Sequence, residues 1–287
     1  MVAVLISLCV FTLVSQSIFK KTFGLKVQKA DFLFSGIVSF FALLFFIGTA
    51  LISGEGINFN LDVLLFSISF AVTYITVAVC EVLSLRWGSL AITSLVMSYS
   101  LLIPTVYGLI TGEPISWLKI VGFVVLIVSA FLIRSQHTDS DNKKVSFKWL
   151  IVVILAFLGN GFCTVFQTAQ ERKFNGACNS SFMIMALSIA MVVSFAIGFV
   201  YERKSIKSVF NKGFLSASLC GICNGATNLL VMLIVGSVAA SLFFPVLSAA
   251  QLSLLFLLSV AVYKEKFIPR QFIGMALGII AIVVLNI

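Results

Sequence analysis

Charge is scarce in this chain. Only 10% of its 287 residues are Asp, Glu, Lys or Arg, against roughly 25% in a soluble domain, so water is not its main solvent. Histidine occurs once, as His137 in a short polar stretch. That excludes histidine base catalysis, haem ligation and a His-rich metal site from the apolar part. No Walker A sequence is present to drive an ATP-powered pump, and no paired-acid constellation suggests an intramembrane enzyme. No catalytic residue, metal ligand or cofactor is therefore expected. The alternating ten-residue pattern of an outer-membrane barrel is missing too. Cys9, Cys80, Cys163, Cys178, Cys220 and Cys223 fall mostly inside apolar runs, where thiols behave as small apolar residues. The CGIC at 220–223 lies within such a run and has no partner strand, so it is read as small-residue helix contact rather than a thiol-exchange site.

What the chain does have is 61% hydrophobic residues, in successive runs of about twenty, long enough to cross a bilayer core. Backbone groups in lipid must be satisfied within the segment, so these runs predict helices. Ten spans are predicted: 2–19, 31–53, 61–85, 88–110, 115–134, 149–170, 180–200, 213–235, 237–262 and 269–287. Trp87, Trp117 and Trp149 fall at predicted ends, as in an interfacial aromatic belt. No positive charge precedes Leu5, so the first run is read as a retained span rather than a cleaved signal.

The net charge of +9 encodes topology rather than a nucleic-acid partner. Odd-numbered connections hold 16 of the 19 Lys and Arg (Lys20, Lys21, Lys26, Lys29; Arg86; Arg134, Lys143, Lys144, Lys148; Arg203, Lys204, Lys207, Lys212; Lys264, Lys266, Arg270), and even ones hold Lys119, Arg172 and Lys173. By the positive-inside rule, this predicts odd connections in the cytoplasm and both termini outside.

The chain is also written twice. The stretch GEPISWLKIVG at 112–122 sets Glu113 nine residues before Gly122, and KEKFIPRQFIG at 264–274 sets Glu265 nine before Gly274, a separation of 152. Gly88-Ser89 and Gly236-Ser237 open spans four and nine, 148 apart, and VSQS (14–17) matches VFQT (165–168), pairing Gln16 with Gln167 at 151. Three matches in order, at nearly one spacing, predict two five-span repeats, 1–135 and 148–287, joined by a polar linker, 136–147. Because five is odd, the second repeat enters from the opposite side. This is the inverted repeat of many secondary transporters.

The glutamate corners, the helix-opening glycines and the five-plus-five duplication together resemble the drug/metabolite transporter superfamily, EamA type, over essentially the whole chain. The resemblance implies ten helices, a central cavity lined by spans 1, 3, 4, 6, 8 and 9, and export or exchange of small metabolites or drugs. Members commonly keep both termini in the cytoplasm, whereas the charge count here places them outside.

Polar groups within lipid call for a partner or a purpose. Nine of the ten acids lie in connections or at span ends; Glu81, in span three, is the exception. It is read either as an interfacial acid reaching water near Arg86 or as a cavity carboxylate that couples transport to protons. Asn160, Asn224, Asn228, Tyr74, Thr76, Ser98, Tyr99 and Gln251 lie at mid-span depth and are the candidate substrate-binding set; singly, each could equally join helices. Gln16 and Gln167 are expected near opposite membrane faces, as gate residues or as caps of span ends. Pro104 and Pro245 interrupt spans four and nine. The GxxxG pairs Gly221/Gly225 and Gly274/Gly278 suggest tight helix contacts. Glu113 and Glu265 are read as structural corner residues.

These residues predict a cell-membrane secondary transporter that moves a small polar, zwitterionic or weakly cationic solute by alternating access, as a monomer or a homodimer. A flippase for a lipid or lipid-linked amphiphile on the same scaffold is the alternative.

Overall fold

The computed structural model describes residues 2–54, 60–88, 90–100, 102–112, 147–262 and 269–284, with a few helical positions between 117 and 129. Among these, every regular element is helical. Glu113, Glu265, His137, residues 136–146 of the linker and most of the predicted fifth span lie outside the described residues, as do the side chains of Ser98 and Pro245.

Ten helices of nine residues or more are labelled here: α1 (Val2–Lys26), α2 (Asp31–Ser53), α3 (Leu61–Trp87), α4 (Leu90–Tyr99), α5 (Leu102–Ile110), α6 (Phe147–Phe174), α7 (Asn179–Tyr201), α8 (Phe214–Val235), α9 (Ala240–Ala261) and α10 (Pro269–Val284). A short irregular helical lead-in, Arg203–Gly213, runs into α8. Among the described residues, six helical segments are long and apolar enough to cross a membrane: α1, α2, α3, α6, α7 and Arg203–Val235. The chain is an all-α, multi-pass membrane protein.

Two predicted elements differ from those observed. The first span was expected to end at Phe19, yet α1 continues to Lys26 and carries Lys20 and Lys21 as helical residues, Lys21 buried. The predicted fourth span is two short helices, of 10 and 9 residues, with a break at Ser100. Pro104 explains the position, because its ring lies against the carbonyl four residues earlier and its missing N–H cannot bond there. That carbonyl belongs to Ser100, and it accepts the N–H of Ile103 instead, at 3.1 Å.

Helix ends are closed by local and distant groups. The C-cap of α2 is Gly54, left-handed at φ 67°, a conformation that costs glycine least. At the start of α3, the Asn60 side chain accepts from the Asp62 N–H at 3.2 Å. Ala30 cannot cap α2. Glu202, just past α7, accepts the N–H groups of Phe32 (3.1 Å) and Leu33 (2.8 Å) in its place.

The principal packing pairs are α2 with α7, α3 with α6, α1 with α8, α2 with α8 and α3 with α7. Individual contacts give their directions. Lys20 meets Glu81, and Gly24 lies beside Val82, so α1 and α3 run parallel. Asp62 meets Lys173 while Trp149 meets Ser84, so α3 and α6 are antiparallel. Leu33 lies beside Gly198, making α2 and α7 antiparallel, and Phe23 beside Gly213 with Thr12 near Thr227 does the same for α1 and α8. The Gly221/Gly225 pair lets α8 approach α2 until a Cβ on either would lie 2.7–2.9 Å from Val38, Phe41 or Phe45. On α6, Ile151, Ile154, Leu155, Leu158 and Phe162 are exposed at helical spacing, an apolar stripe suited to lipid. The opposite face of α6 is polar and turns inward.

Of the three tryptophans, Trp87 and Trp117 are exposed, but Trp149 is buried and donates its Nε1–H to the Ser84 carbonyl at 3.0 Å.

Candidate functional site

A cavity of about 120 Å³ lies among α1, α2, α3, α4, α6, α8 and α9. Its wall is made by one face of each helix: Leu13, Gln16, Ser17 and Lys20 from α1; Phe70, Tyr74, Val77, Ala78 and Glu81 from α3; Asn160, Cys163, Thr164 and Gln167 from α6; Asn224, Thr227, Asn228 and Val231 from α8. Phe244, Leu247 and Gln251 contribute from α9, Phe34 and Val38 from α2, and Met97 from α4. Steps of three and four residues recur in α1, α3, α6, α8 and α9, so each gives one continuous stripe.

Four amides of this wall, Gln16, Asn224, Asn228 and Gln167, form a continuous hydrogen-bonded chain. Gln16 Nε2 donates to Thr227 Oγ1 at 2.7 Å, and that hydroxyl lies 2.8 Å from Thr12 Oγ1. Asn224 Nδ2 donates to Gln16 Oε1 at 3.0 Å. Asn224 Oδ1 in turn accepts from Tyr74 Oη at 2.8 Å and from Asn228 Nδ2 at 3.0 Å. Gln167 Nε2 closes the chain on Asn228 Oδ1 at 2.8 Å. Gln16 and Gln167 therefore do not sit at separate span ends. Their amides meet two asparagines one turn apart on α8, at one depth of the fold. Asn160 stands apart from this chain and donates to Ser100 Oγ at 2.6 Å, at the buried α4–α5 break.

The carboxylate of Glu81 also faces the cavity, but its partner is Lys20, at 2.6 Å between Nζ and Oε2. Arg86 is occupied elsewhere: it forks onto Asp31, Nη2 to Oδ1 at 2.6 Å and Nη1 to Oδ2 at 3.3 Å, and donates to the carbonyls of Gly24 and Val27. The interfacial reading of Glu81, with Arg86 nearby, does not describe this arrangement. Lys20 is the cavity-lining residue that sequence reasoning missed, because four lysines in one connection look like a solvated end. The missed signal was spacing, since Leu13, Gln16, Ser17 and Lys20 share one helical face.

Two candidates lie away from the wall. Thr76 returns its hydroxyl to the Val72 carbonyl at 2.9 Å and is not a lining residue. Tyr99 is buried against Ser129, with its Oη 2.8 Å from Ser129 Oγ, which donates to the Gly274 carbonyl at 2.6 Å. It joins helices and does not face the cavity. Toward the far end of α6 the polar face continues as Gln170, fully buried with neither amide atom bonded, and Glu171, whose Oε2 is also unbonded. All six cysteines are unpaired.

No protein-family model matches the chain, and no curated protein matches it. Among solved structures, 27 chains match. One is a crystal structure of a protein that is 14% identical in sequence, with a TM-score of 0.72 over 99% of this chain and 95% of that one. At that identity the similarity is one of fold, and it extends over the whole chain.

Proposed function

We propose that the chain is a secondary transporter with ten spans in two inverted five-helix repeats, moving a small organic solute through the amide-lined cavity by alternating access. The observation that carries this reading is the hydrogen-bonded chain itself. It draws buried amides and a phenol from α1, α3, α6 and α8 to one cavity, where each would otherwise be an unpaired polar group in an apolar bundle.

The packing supports the repeat. Exchanging α1 with α6, α2 with α7 and α3 with α8 turns the α1–α8 contact into the α6–α3 contact, and the α2–α8 contact into the α7–α3 contact; all four are present. Under the same exchange α2–α7 maps onto itself. Helix α6 runs opposite to α1, as inversion requires. Such an arrangement supports two states of similar energy that open the cavity to opposite sides, related by the same pseudo-two-fold.

Energetics favour a switch rather than a lock. Four interhelical bonds hold the chain together (Gln16–Thr227, Asn224–Gln16, Tyr74–Asn224 and Gln167–Asn228). Interhelical side-chain bonds in membranes are worth about 0.6 kcal/mol each on average, or about 2.4 kcal/mol together. That is within reach of the binding energy of a micromolar solute, about 8 kcal/mol. A bound solute can therefore replace these bonds and shift the population between states. The whole-chain resemblance to the drug/metabolite transporter superfamily, EamA type, agrees with this reading; Glu81, the acid within a span, is the residue through which protons would couple to transport.

The test is solute counterflow in proteoliposomes, using a panel of amino acids, polyamines, sugars, nucleosides and lipophilic cations. Wild type is expected to exchange at least one class, and an Asn160→Ala/Asn224→Ala variant of normal stability to lose that exchange at least tenfold. Equal flux in the variant would remove the cavity from the pathway. Scrambling of labelled lipid without any solute flux would replace this reading with the flippase.

A further inference from the structure

The cavity wall holds two full charges, and they face each other. Lys20 and Glu81 line it, joined at 2.6 Å with side chains only 12% and 10% exposed. Among the described residues, every other lining side chain is neutral. Lys20 stands one turn from Gln16 on α1, and Glu81 two turns from Tyr74 on α3, so the ion pair and the amide chain share the same two helix faces. The neighbouring cation, Arg86, is committed to Asp31 and to two backbone carbonyls.

We propose that Lys20 and Glu81 form a two-charge receptor for a zwitterion, a solute carrying an ammonium and a carboxylate a few bonds apart, in the manner of an amino acid. The inference rests on the transport reading and names the substrate class of its cavity.

The reason is charge balance in a wall poor in water. A buried ion pair that loses one partner leaves the other charge uncompensated, which is strongly unfavourable. A simple cation could reach Glu81 only by stranding Lys20. A simple anion could reach Lys20 only by stranding Glu81. A zwitterion opens the pair and compensates both ends at once, its carboxylate on Lys20 and its ammonium on Glu81, with no change in the net charge of the cavity. When the solute leaves, the two side chains close on each other and take its place. The remainder of the solute then meets Tyr74, Gln16 and the α8 asparagines together with Phe34, Val38 and Phe70. A volume of about 120 Å³ limits it to a small molecule.

The experiment uses the purified full chain, in detergent and in proteoliposomes. The probes are the common amino acids, together with β- and γ-amino acids and betaine. Each α-amino acid is paired with its amide, which lacks the carboxylate, and its N-acetyl derivative, which lacks the ammonium. Binding is read by thermal stabilisation and flux by counterflow. The expected result is that one or more zwitterions stabilise wild type while their amides and N-acetyl derivatives bind at least tenfold more weakly. Lys20→Met/Glu81→Gln, which removes both charges together and leaves neither stranded, should keep the fold and lose at least tenfold in zwitterion affinity. The charge-reversed Lys20→Glu/Glu81→Lys should regain part of it. Amides or N-acetyl derivatives binding as well as their parents would overturn the proposal. So would unchanged zwitterion binding by the neutral double variant, or the absence of binding by any zwitterion. Counterflow separates this from the broader reading: flux of a sugar or lipophilic cation with no zwitterion binding leaves the transporter standing and removes the receptor. Zwitterion binding without flux of any solute does the reverse.

Discussion

Glu202 accepts the backbone N–H of Leu33 at 2.8 Å, reaching from the end of α7 to the start of α2. With the Phe32 N–H on its other oxygen, this carboxylate does for α2 what an N-cap side chain does locally, and it ties two antiparallel helices at one end. Glu202→Ala is expected to lower stability by about 1 kcal/mol, the usual cost of losing a cap. Glu202→Gln keeps an acceptor and should lose less. The pH dependence separates the two effects. Burial pushes the Glu202 carboxyl above its ordinary value, opposed by the Leu33 and Phe32 N–H groups. The folded state therefore binds the proton more tightly than the unfolded chain does, and this contribution is full below the ordinary carboxylate range and lost as pH rises through the raised folded value. Thermal unfolding between pH 4 and 7 should show wild type losing ground to Glu202→Gln as pH rises. A constant difference would show that the carboxyl does not titrate in this window.

Gly221 predicts a steric limit. A Cβ there would lie 2.7 Å from the Val38 carbonyl oxygen and 2.7 Å from Phe41 Cβ, and a backbone oxygen cannot move aside as a side-chain tip can. Gly221→Ala is expected to separate α2 from α8 at a cost of about 1–3 kcal/mol, the range for overpacking. Gly48 is the control: it is helical too, but a Cβ there would meet nothing within 4 Å, so Gly48→Ala should cause no loss. Parallel melting curves of the two variants decide the point, and equal behaviour would mean that α2 and α8 are not held as close as described.

Asp31 and Arg86 form a second buried ion pair, with side chains 11% and 15% exposed. Arg86 also satisfies the carbonyls of Gly24 and Val27 at the end of α1, so one guanidinium fastens α1, α2 and α3. Arg86→Leu is expected to cost about 3–5 kcal/mol, because it strands a buried carboxylate. Asp31→Asn/Arg86→Leu should recover part of that loss, since the stranded charge is then gone. If the double variant is no more stable than Arg86→Leu alone, the loss comes from the backbone contacts and not from the charge.

How much of this was legible in the sequence depended on whether the deciding interaction was local. The apolar runs located the long helices, and Pro104 marked the break at Ser100, because both signals act within one or two turns. The extension of α1 to Lys26 was hidden: Lys20 can be helical and buried only because Glu81, 61 residues away, compensates it. Which way a side chain faces was hidden as well. In a helix apolar on all sides, periodicity no longer marks an inner face, so Thr76 looked as central as Tyr74, and Tyr99 as Asn160. Amides fared better. Asn160, Asn224, Asn228 and Gln251 have no comfortable place toward lipid, and all four line the cavity.

Gln167 and Asn228 offer a measurement in which structural and functional roles separate. Gln167 Nε2 donates to Asn228 Oδ1 at 2.8 Å, and Asn228 Nδ2 passes the connection on to Asn224. As helix-joining groups alone, the pair is worth about 0.6 kcal/mol, with an upper range near 1.7 kcal/mol. A double-mutant cycle of Gln167→Ala and Asn228→Ala should therefore give a small coupling in thermal or denaturant stability. Transport should respond far more. Removing Asn228 frees Gln167 and also one of the two donors that orient the Asn224 carbonyl, so the loss reaches along the chain to Tyr74 and Gln16. Each single variant is expected to lower counterflow at least tenfold, and the double variant to be hardly worse than either, as for residues that act as one unit. Losses in flux that merely follow the small losses in stability would return the whole chain to the role of helix contact.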